Sequence, residues 1–315
     1  MTARVYLTEE IHPAGLDLLS SEGATILRGW EMDAAARAEA LKTAEAILVR
    51  TAPLTADMIA AAPRLRVVSK HGVGCDNIDV AAARKAGAEI AVTADANAQA
   101  VAEHTMALLL AAAKRLPDAD RAAREDWGWR GSVLSSDLAE RRILIVGYGR
   151  IGRRVAPLCA AFGMEVLIWD AALQPAAEVD GFEQAASLDA GLDGAGALTL
   201  HVPLTEATRG LIGAAELARL APGALFVNAA RGGIADEAAL VAAVREGRLA
   251  GLASDVFAEE PATAENPLLA LPGAALSPHT AAMSEAGMRR MSIAAARNAL
   301  DGAAGRLTAE VLFEG

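Results

Sequence analysis

The chain has 315 residues, enough for two ordinary domains, and is 53% hydrophobic but only 3% aromatic, as in an alanine-rich α/β protein with aliphatic strands. A formal charge of −11 without a basic block argues against nucleic acid or an anionic membrane as partner, and two scattered cysteines argue against a disulfide framework or a metal site. No apolar run approaches the ~20 residues of a membrane span, and the opening MTARVYLTEE has neither signal nor lipidation pattern, so a cytoplasmic protein is expected.

Along the chain, short β-like runs alternate with helix-like stretches, the pattern of parallel sheets with crossover helices. The first cycle reads RVYL, AILVR, LRVVS and EIAVT. A long helix is predicted from about Asn97 to Leu116, stopped by Pro117. The second cycle reads ILIVG, EVLIW, ALTLHV, ALFVNA, AGLASDV and AALS. A last helix is predicted after His279, to about Ala304, before the tail LTAEVLFEG. No repeat or low-complexity linker interrupts this order. The economical architecture is two α/β lobes with doubly wound parallel sheets, the second opening at a glycine loop.

That loop is GYGRIGRRVAPLCAAFGMEVLIWD, from Gly147 to Asp170. Gly147, Gly149 and Gly152 have the G-x-G-x-x-G spacing: one for a tight turn, one for approach of a pyrophosphate, one for close helix packing. The helix opening at Arg150 would present free N–H groups to phosphates. The next strand ends at Asp170, where a carboxylate can accept from both ribose hydroxyls and would repel a 2′-phosphate. Strand, glycines, helix, strand and acid in this order point to a Rossmann-type site for NAD(H) rather than NADP(H).

Open α/β sheets bind ligands at the carboxyl ends of their strands. In the second lobe those ends carry His201, Arg231, Asp255, Glu260 and His279. An arginine fork can grip a carboxylate, a histidine can pass a proton to a carbonyl oxygen, and a glutamate can hold the ring and favour its cation. This set suits reduction of a 2-oxo acid.

The pieces KHGVGCDNID, NAQAVAEHT, GYGRIGRRVAPLCAAFGMEV, LHVPLTEATRGLI, FVNAARGGIADEAAL, GLASDVFAEEP and SPHTA follow one another over nearly the whole chain. In these the chain resembles the D-2-hydroxyacid dehydrogenases, in the branch of the 3-phosphoglycerate, glycerate and hydroxypyruvate enzymes. The resemblance implies two Rossmann-like lobes and a discontinuous substrate-binding domain, residues 1–97 plus 285–315, around an NAD-binding domain, 98–284. It implies NAD as cofactor, a small anionic 2-oxo or 2-hydroxy acid as substrate, and a homodimer. Arg231 would hold the substrate carboxylate, Glu260 would pair with His279, and His279 would be the general acid/base. The cofactor would be lined by Gly147, Gly149, Arg150, Ile151, Gly152, Asp170, His201, Val202, Pro203, Thr208, Ala229, Ala230 and Asp255, with Asp255 near the nicotinamide amide. The backbone of Gly72, Val73 and Gly74 would cradle the substrate carboxylate. Relatives specific for phosphoglycerate often carry Arg where Lys70 stands, and the regulatory domain that some have after the last helix is not expected here.

Arg50 and Lys70 end neighbouring predicted strands, and with His71 they form a candidate reader of a second anionic or polar group on the substrate, a 3-phosphoglycerate or glycerate type being favoured. The competing reading turns Lys70 to solvent. His71 stands open between loop filler and substrate contact, and His201 between a backbone-satisfied strand end and a cofactor contact. His104 reads as a packed or interface residue, His12 as solvated surface, and Arg153 and Arg154 as a solvated helix face. An NAD(H)-sensing regulatory protein is an alternative disfavoured by the intact Arg231, Glu260 and His279. A formate dehydrogenase-like enzyme is disfavoured by Glu, not Gln, at 260.

Overall fold

The structure is a computed structural model describing residues 2–131, 134–174 and 177–313; Pro175 of the run after Asp170 and the last two residues of the tail lie outside these. The chain forms two compact units, Met1–Asn97 with Met283–Gly315, and Ala98–Ala282.

The first unit is built on β1 (Arg4–Leu7), β2 (Thr25–Arg28), β3 (Ala46–Val49), β4 (Val67–Lys70) and β5 (Glu89–Ala91), all parallel in the order β2-β1-β3-β4-β5. Central strands such as AILV are apolar throughout because both faces are covered. One face packs on the helix Glu285–Ala303, whose Ala295, Ala296 and Ala299 let it lie close against Val5, Leu48 and Val67. Ser69 Oγ donates to the Ala295 carbonyl at 2.7 Å and fixes the helix to β4. The chain end therefore belongs to this unit. The register pairs Val49 with Lys70, which brings Arg50 and Lys70 to adjacent strand ends.

The second unit contains β6 (Arg142–Val146), β7 (Glu165–Trp169), β8 (Glu178–Val179), β9 (Phe182–Gln184), β10 (Ala197–Leu200), β11 (Ala224–Asn228), β12 (Leu249–Ser254) and β13 (Ala275–Leu276). Their order is β13-β12-β11-β10-β6-β7-β9-β8, parallel except for the β8–β9 hairpin. Helices Ala98–Ala113 and Gly152–Ala161 cover one face, where Val101, Leu109, Val155 and Cys159 meet Ile143, Ile145 and Val227. Burial among them pushes the Cys159 thiol up to about 12, so it stays protonated. The strand order reverses at β6, which opens a crevice at the strand ends.

Three strands were not anticipated. β2 is a short, partly exposed edge, and β8–β9 is a hairpin closed by Asp180 and Gly181, both at positive φ. The long helix ends at Ala113, and Pro117 starts rather than stops a helix: it lies in the first turn of Leu116–Glu125, after Arg115 at φ +50°. His12 is not solvated surface. Its Nδ1 accepts from Ala14 N at 3.1 Å as a helix cap, and its Nε2 meets Glu285 at 2.9 Å. Among the described residues no helix is long and apolar enough to cross a membrane.

Candidate active site

After β6 the chain turns through Gly147 at φ +96°, where a Cβ would sit 2.6 Å from the His201 carbonyl oxygen. Gly152 backs so closely on the Gly147 carbonyl that a Cβ has no room, whereas Gly149 faces open space. A tight turn, a bare backbone with space above it and a helix start at Gly152 fit a pyrophosphate. Arg150 is exposed beside them and Ile151 half-buried. Asp170 Oδ2 accepts from Tyr148 N and Oδ1 from Ala172 N, each at 2.8 Å. Held this way, both oxygens keep lone pairs for ribose hydroxyls. Arg153 pairs with Asp180 and lies over the Tyr148 ring at 4.6 Å, and Arg154 donates to the Arg150 carbonyl at 2.7 Å. These two cations are engaged locally and are not a prepared clamp for a 2′-phosphate.

His201 follows β10, with Nε2 3.0 Å from Thr199 Oγ1. Burial pushes its pKa down to about 3, so it is neutral, and its buried Nδ1 has no partner among the described residues. Val202 presses on the Gly147 turn, and Thr208 Oγ1 donates to the Pro203 carbonyl at 2.6 Å, bracing the same loop. Ala229 and Ala230 are buried beyond β11.

Three neighbouring strands bring the candidate catalytic groups to one edge: Arg231 after β11, Glu260 after β12 and His279 after β13. His279 Nδ1 lies 2.6 Å from Glu260 Oε2, while Glu260 Oε1 accepts from Phe257 N at 3.0 Å. A proton on Nδ1 satisfies the carboxylate and leaves Nε2 to face a substrate. Burial alone would raise the Glu260 carboxyl, but the His279 hydrogen bond, the Phe257 N–H and the nearby Arg231 together hold it below the usual carboxylate range. His279 adopts φ +53°, an αL conformation that costs on the order of 1 kcal/mol in a non-glycine residue. Its N–H donates to the Asp255 carbonyl at 2.7 Å, holding it there.

Several supporting residues escaped the sequence reading. Asn228 brackets the Arg231 turn, donating to the Arg231 carbonyl at 2.9 Å and accepting from Ala230 N at 3.0 Å. Gly232 lies so close to the Phe257 carbonyl that any Cβ would overlap it, which locks the Arg231 and Glu260 turns together. Glu237 accepts from Ala258 N at 2.7 Å and Asn266 Nδ2 at 2.8 Å, tying down the Glu260 loop. Asp255, which the sequence reading placed near the nicotinamide amide, is fully buried: Oδ1 accepts from Ser277 Oγ at 2.5 Å and Thr280 N at 2.8 Å, and Oδ2 from Ala281 N at 2.8 Å. Its carboxylate thus organises the His279 turn. Among the described residues no group of three His, Cys, Asp or Glu side chains could hold a metal.

In the first unit, Lys70 is buried, and its ammonium donates to the Arg50 carbonyl and, at 2.5 Å, to Asn77 Oδ1. Neither the solvent-facing reading nor a freely presented cation describes it; it pins the loop after β4 to the end of β3. His71 is buried with Nε2 2.8 Å from Ser292 Oγ. Burial first, then Arg50, push its pKa down to about 4 and keep it neutral. Thr93 Oγ1 accepts from Gly72 N at 2.9 Å, and Val73 and Gly74 are more exposed. Arg50 is partly exposed, with one long contact of 3.5 Å to the Glu10 carbonyl.

Residues 106–281 match the family model described as D-isomer specific 2-hydroxyacid dehydrogenase, NAD binding domain. A D-3-phosphoglycerate dehydrogenase of Mycobacterium bovis is 41% identical over 244 residues, 77% of this chain and 46% of that protein, so this chain spans about half the length of such relatives. A glyoxylate reductase of Aeropyrum pernix is 37% identical over 321 residues, covering 96% of this chain and 94% of the relative. Among solved structures, TT0316 protein from Thermus thermophilus superposes with a TM-score of 0.86 at 32% identity, covering 99% of this chain and 100% of that one.

Proposed function

This chain belongs to the D-isomer specific 2-hydroxyacid dehydrogenase family, and from that premise we propose that it reduces a small 2-oxo acid to the D-2-hydroxy acid with NADH. The observation that carries the reading is the 2.6 Å pair between Glu260 and His279 beside Arg231 on adjacent strand ends. NAD is the cofactor, and when bound it supplies the hydride. Arg231 grips the substrate carboxylate through its planar fork. His279 delivers its Nε2 proton to the carbonyl oxygen as negative charge develops there, and Glu260 stabilises the ring from the Nδ1 side. In the oxidative direction His279 takes the same proton back. Gly147 and Gly152 set the tight turn, Gly149 leaves room for the pyrophosphate, and Asp170 takes the adenosine ribose.

Within this reading we favour substrates of the glyoxylate and hydroxypyruvate type. Lys70 already serves a main-chain carbonyl and Asn77, which leaves Arg50 as the more accessible cation of the Arg50–Lys70 pair. Identity with the mycobacterial phosphoglycerate dehydrogenase supports a second reading, in which Arg50 meets a C3 phosphate. A homodimer is part of the proposal, supported by Leu116, Trp127 and Leu134, which are 57%, 74% and 94% exposed on one stretch of the second unit. So is a cytoplasmic setting, where NADH is at hand.

The test is NADH oxidation over a panel of glyoxylate, hydroxypyruvate, phosphohydroxypyruvate, pyruvate and 2-oxoglutarate, with the product's configuration determined. Turnover of glyoxylate or hydroxypyruvate, with a D product in the latter case, is expected. Turnover of phosphohydroxypyruvate alone would favour the second substrate reading, and an L product would overturn the assignment. The Asp170→Ala variant should lose its preference for NADH over NADPH; comparable kcat/KM with both cofactors in the wild type would refute the role of Asp170.

A further inference from the structure

His104 sits on the helix Ala98–Ala113, far in sequence from every group assigned a chemical task, yet it joins the hydrogen-bond network that shapes the His279 turn. Its Nε2 lies 2.9 Å from Ser277 Oγ and 3.5 Å from Asp255 Oδ1. Ser277 Oγ in turn donates to Asp255 Oδ1 at 2.5 Å. A hydroxyl has one proton, so if Ser277 gives it to the carboxylate, its lone pairs must accept, and Nε2–H of His104 is the donor in place. Asp255 then has a fixed orientation, with Oδ1 on Thr280 N and Oδ2 on Ala281 N. Those two amides immediately follow His279, which is held at φ +53°.

We propose that His104 is a positioning residue: through Ser277 and Asp255 it holds the 277–281 turn in the conformation that sets the His279 imidazole against Glu260. This rests on reading His279 as the proton donor. The turn carries its key residue in a conformation that L side chains resist, so it depends on hydrogen bonds on both flanks. His279 N to the Asp255 carbonyl supplies one, and the Asp255 carboxylate supplies the others. Asp255 is buried and meets His104 from the covering helix, which makes His104 the member of the chain that can be replaced with least disturbance: its side chain is 27% exposed against 1% for Asp255.

The experiment compares wild type with His104→Leu, His104→Gln, Ser277→Ala, the double variant His104→Leu/Ser277→Ala, and His279→Asn. Two readouts are taken: hydrogen exchange of segment 277–281, which needs no turnover, and steady-state kinetics with NADH and hydroxypyruvate. His104→Leu should speed exchange in 277–281 about tenfold and lower kcat about tenfold, while KM for NADH stays within about twofold. Gln can present an N–H near the position of Nε2, so His104→Gln should restore most of both. Because the two residues act as one chain, the double variant should be no worse than the more impaired single variant. Wild-type exchange and kcat in both His104→Leu and Ser277→Ala would overturn the proposal. So would losses that multiply in the double variant, or faster exchange with unchanged kcat. If His279→Asn retains turnover, the proton-donor reading itself fails; if it is inactive while His104→Leu behaves as wild type, only the positioning role of His104 fails.

Discussion

Each unit ends a buried parallel strand with a basic residue in a glycine-containing turn, and the two residues differ in what their cations serve. Lys70 ends β4 buried, its ammonium on the Arg50 carbonyl and Asn77. Arg231 follows β11 half-exposed, with its main chain bracketed by Asn228 and with Glu260 close enough to feel its charge. In the first case the side chain stabilises the loop. In the second, Asn228 holds the backbone, and the half-buried guanidinium donates to the Ala230 carbonyl at 2.7 Å and lies near Glu260. The contrast is one of burial: the Lys70 ammonium is enclosed by its own loop, whereas the Arg231 guanidinium stays half-exposed beside Glu260.

The contrast is broken most directly at Arg231. Arg231→Lys keeps the charge but loses the planar fork, and should lose at least about 2 kcal/mol of transition-state stabilisation, roughly 30-fold in kcat/KM. Near-normal turnover would mean that the carboxylate is held elsewhere. Lys70→Met should have the opposite character. It leaves the part-buried Asn77 amide oxygen without its ammonium donor and the Arg50 carbonyl with only the 3.3 Å bond from Asn77 Nδ2, and should lower unfolding stability by about 1 kcal/mol. The ratio of kcat/KM for phosphohydroxypyruvate over glyoxylate should stay within about twofold. A tenfold change in that ratio would make Lys70 a substrate reader and erase the difference.

Glu260→Gln sharpens the same comparison. It removes the carboxylate that holds Nδ1 at 2.6 Å and should lower kcat for reduction about tenfold while KM for NADH stays within about twofold. An unchanged kcat would show that Glu260 does not support His279.

The smallest expected effect concerns the buried His71 and the part-buried His201, one in each unit. His71 at about 4 and His201 at about 3 stay neutral in the folded chain but take up protons in the unfolded chain near pH 6.5. Their depressed values mean that stability is full above pH 6.5 and is lost as pH falls toward 4. By pH 5 the loss should reach at most about 2 kcal/mol for each. Thermal unfolding of His71→Asn and His201→Asn between pH 7 and 5 checks this. A slope as steep as in wild type would show that neither histidine is its source.

The fold was readable where burial writes a continuous signal. Runs such as ILIV and ALFVN must be apolar on both faces, and the strand ends then follow, with Arg231, Glu260 and His279 on them. The β8–β9 hairpin was missed although its Asp180-Gly181 turn is a strong local cue, because the flanking strands are only two and three residues long. The environment of Lys70 was beyond reach, since a lysine in a strand end does not reveal whether a carbonyl and an amide await it. Likewise, nothing local links His104 to Ser277, 173 residues away, since His104 is one of several polar side chains on its helix, with Gln99, Glu103 and Thr105.

The central claim, that His279 held by Glu260 supplies the proton, is tested most directly by His279→Asn assayed for reduction of hydroxypyruvate or glyoxylate with NADH binding measured alongside. Turnover should fall about 10²–10⁴-fold, the usual range for loss of a general acid, while NADH affinity stays within about twofold. Turnover at the wild-type rate with intact NADH binding would contradict the account.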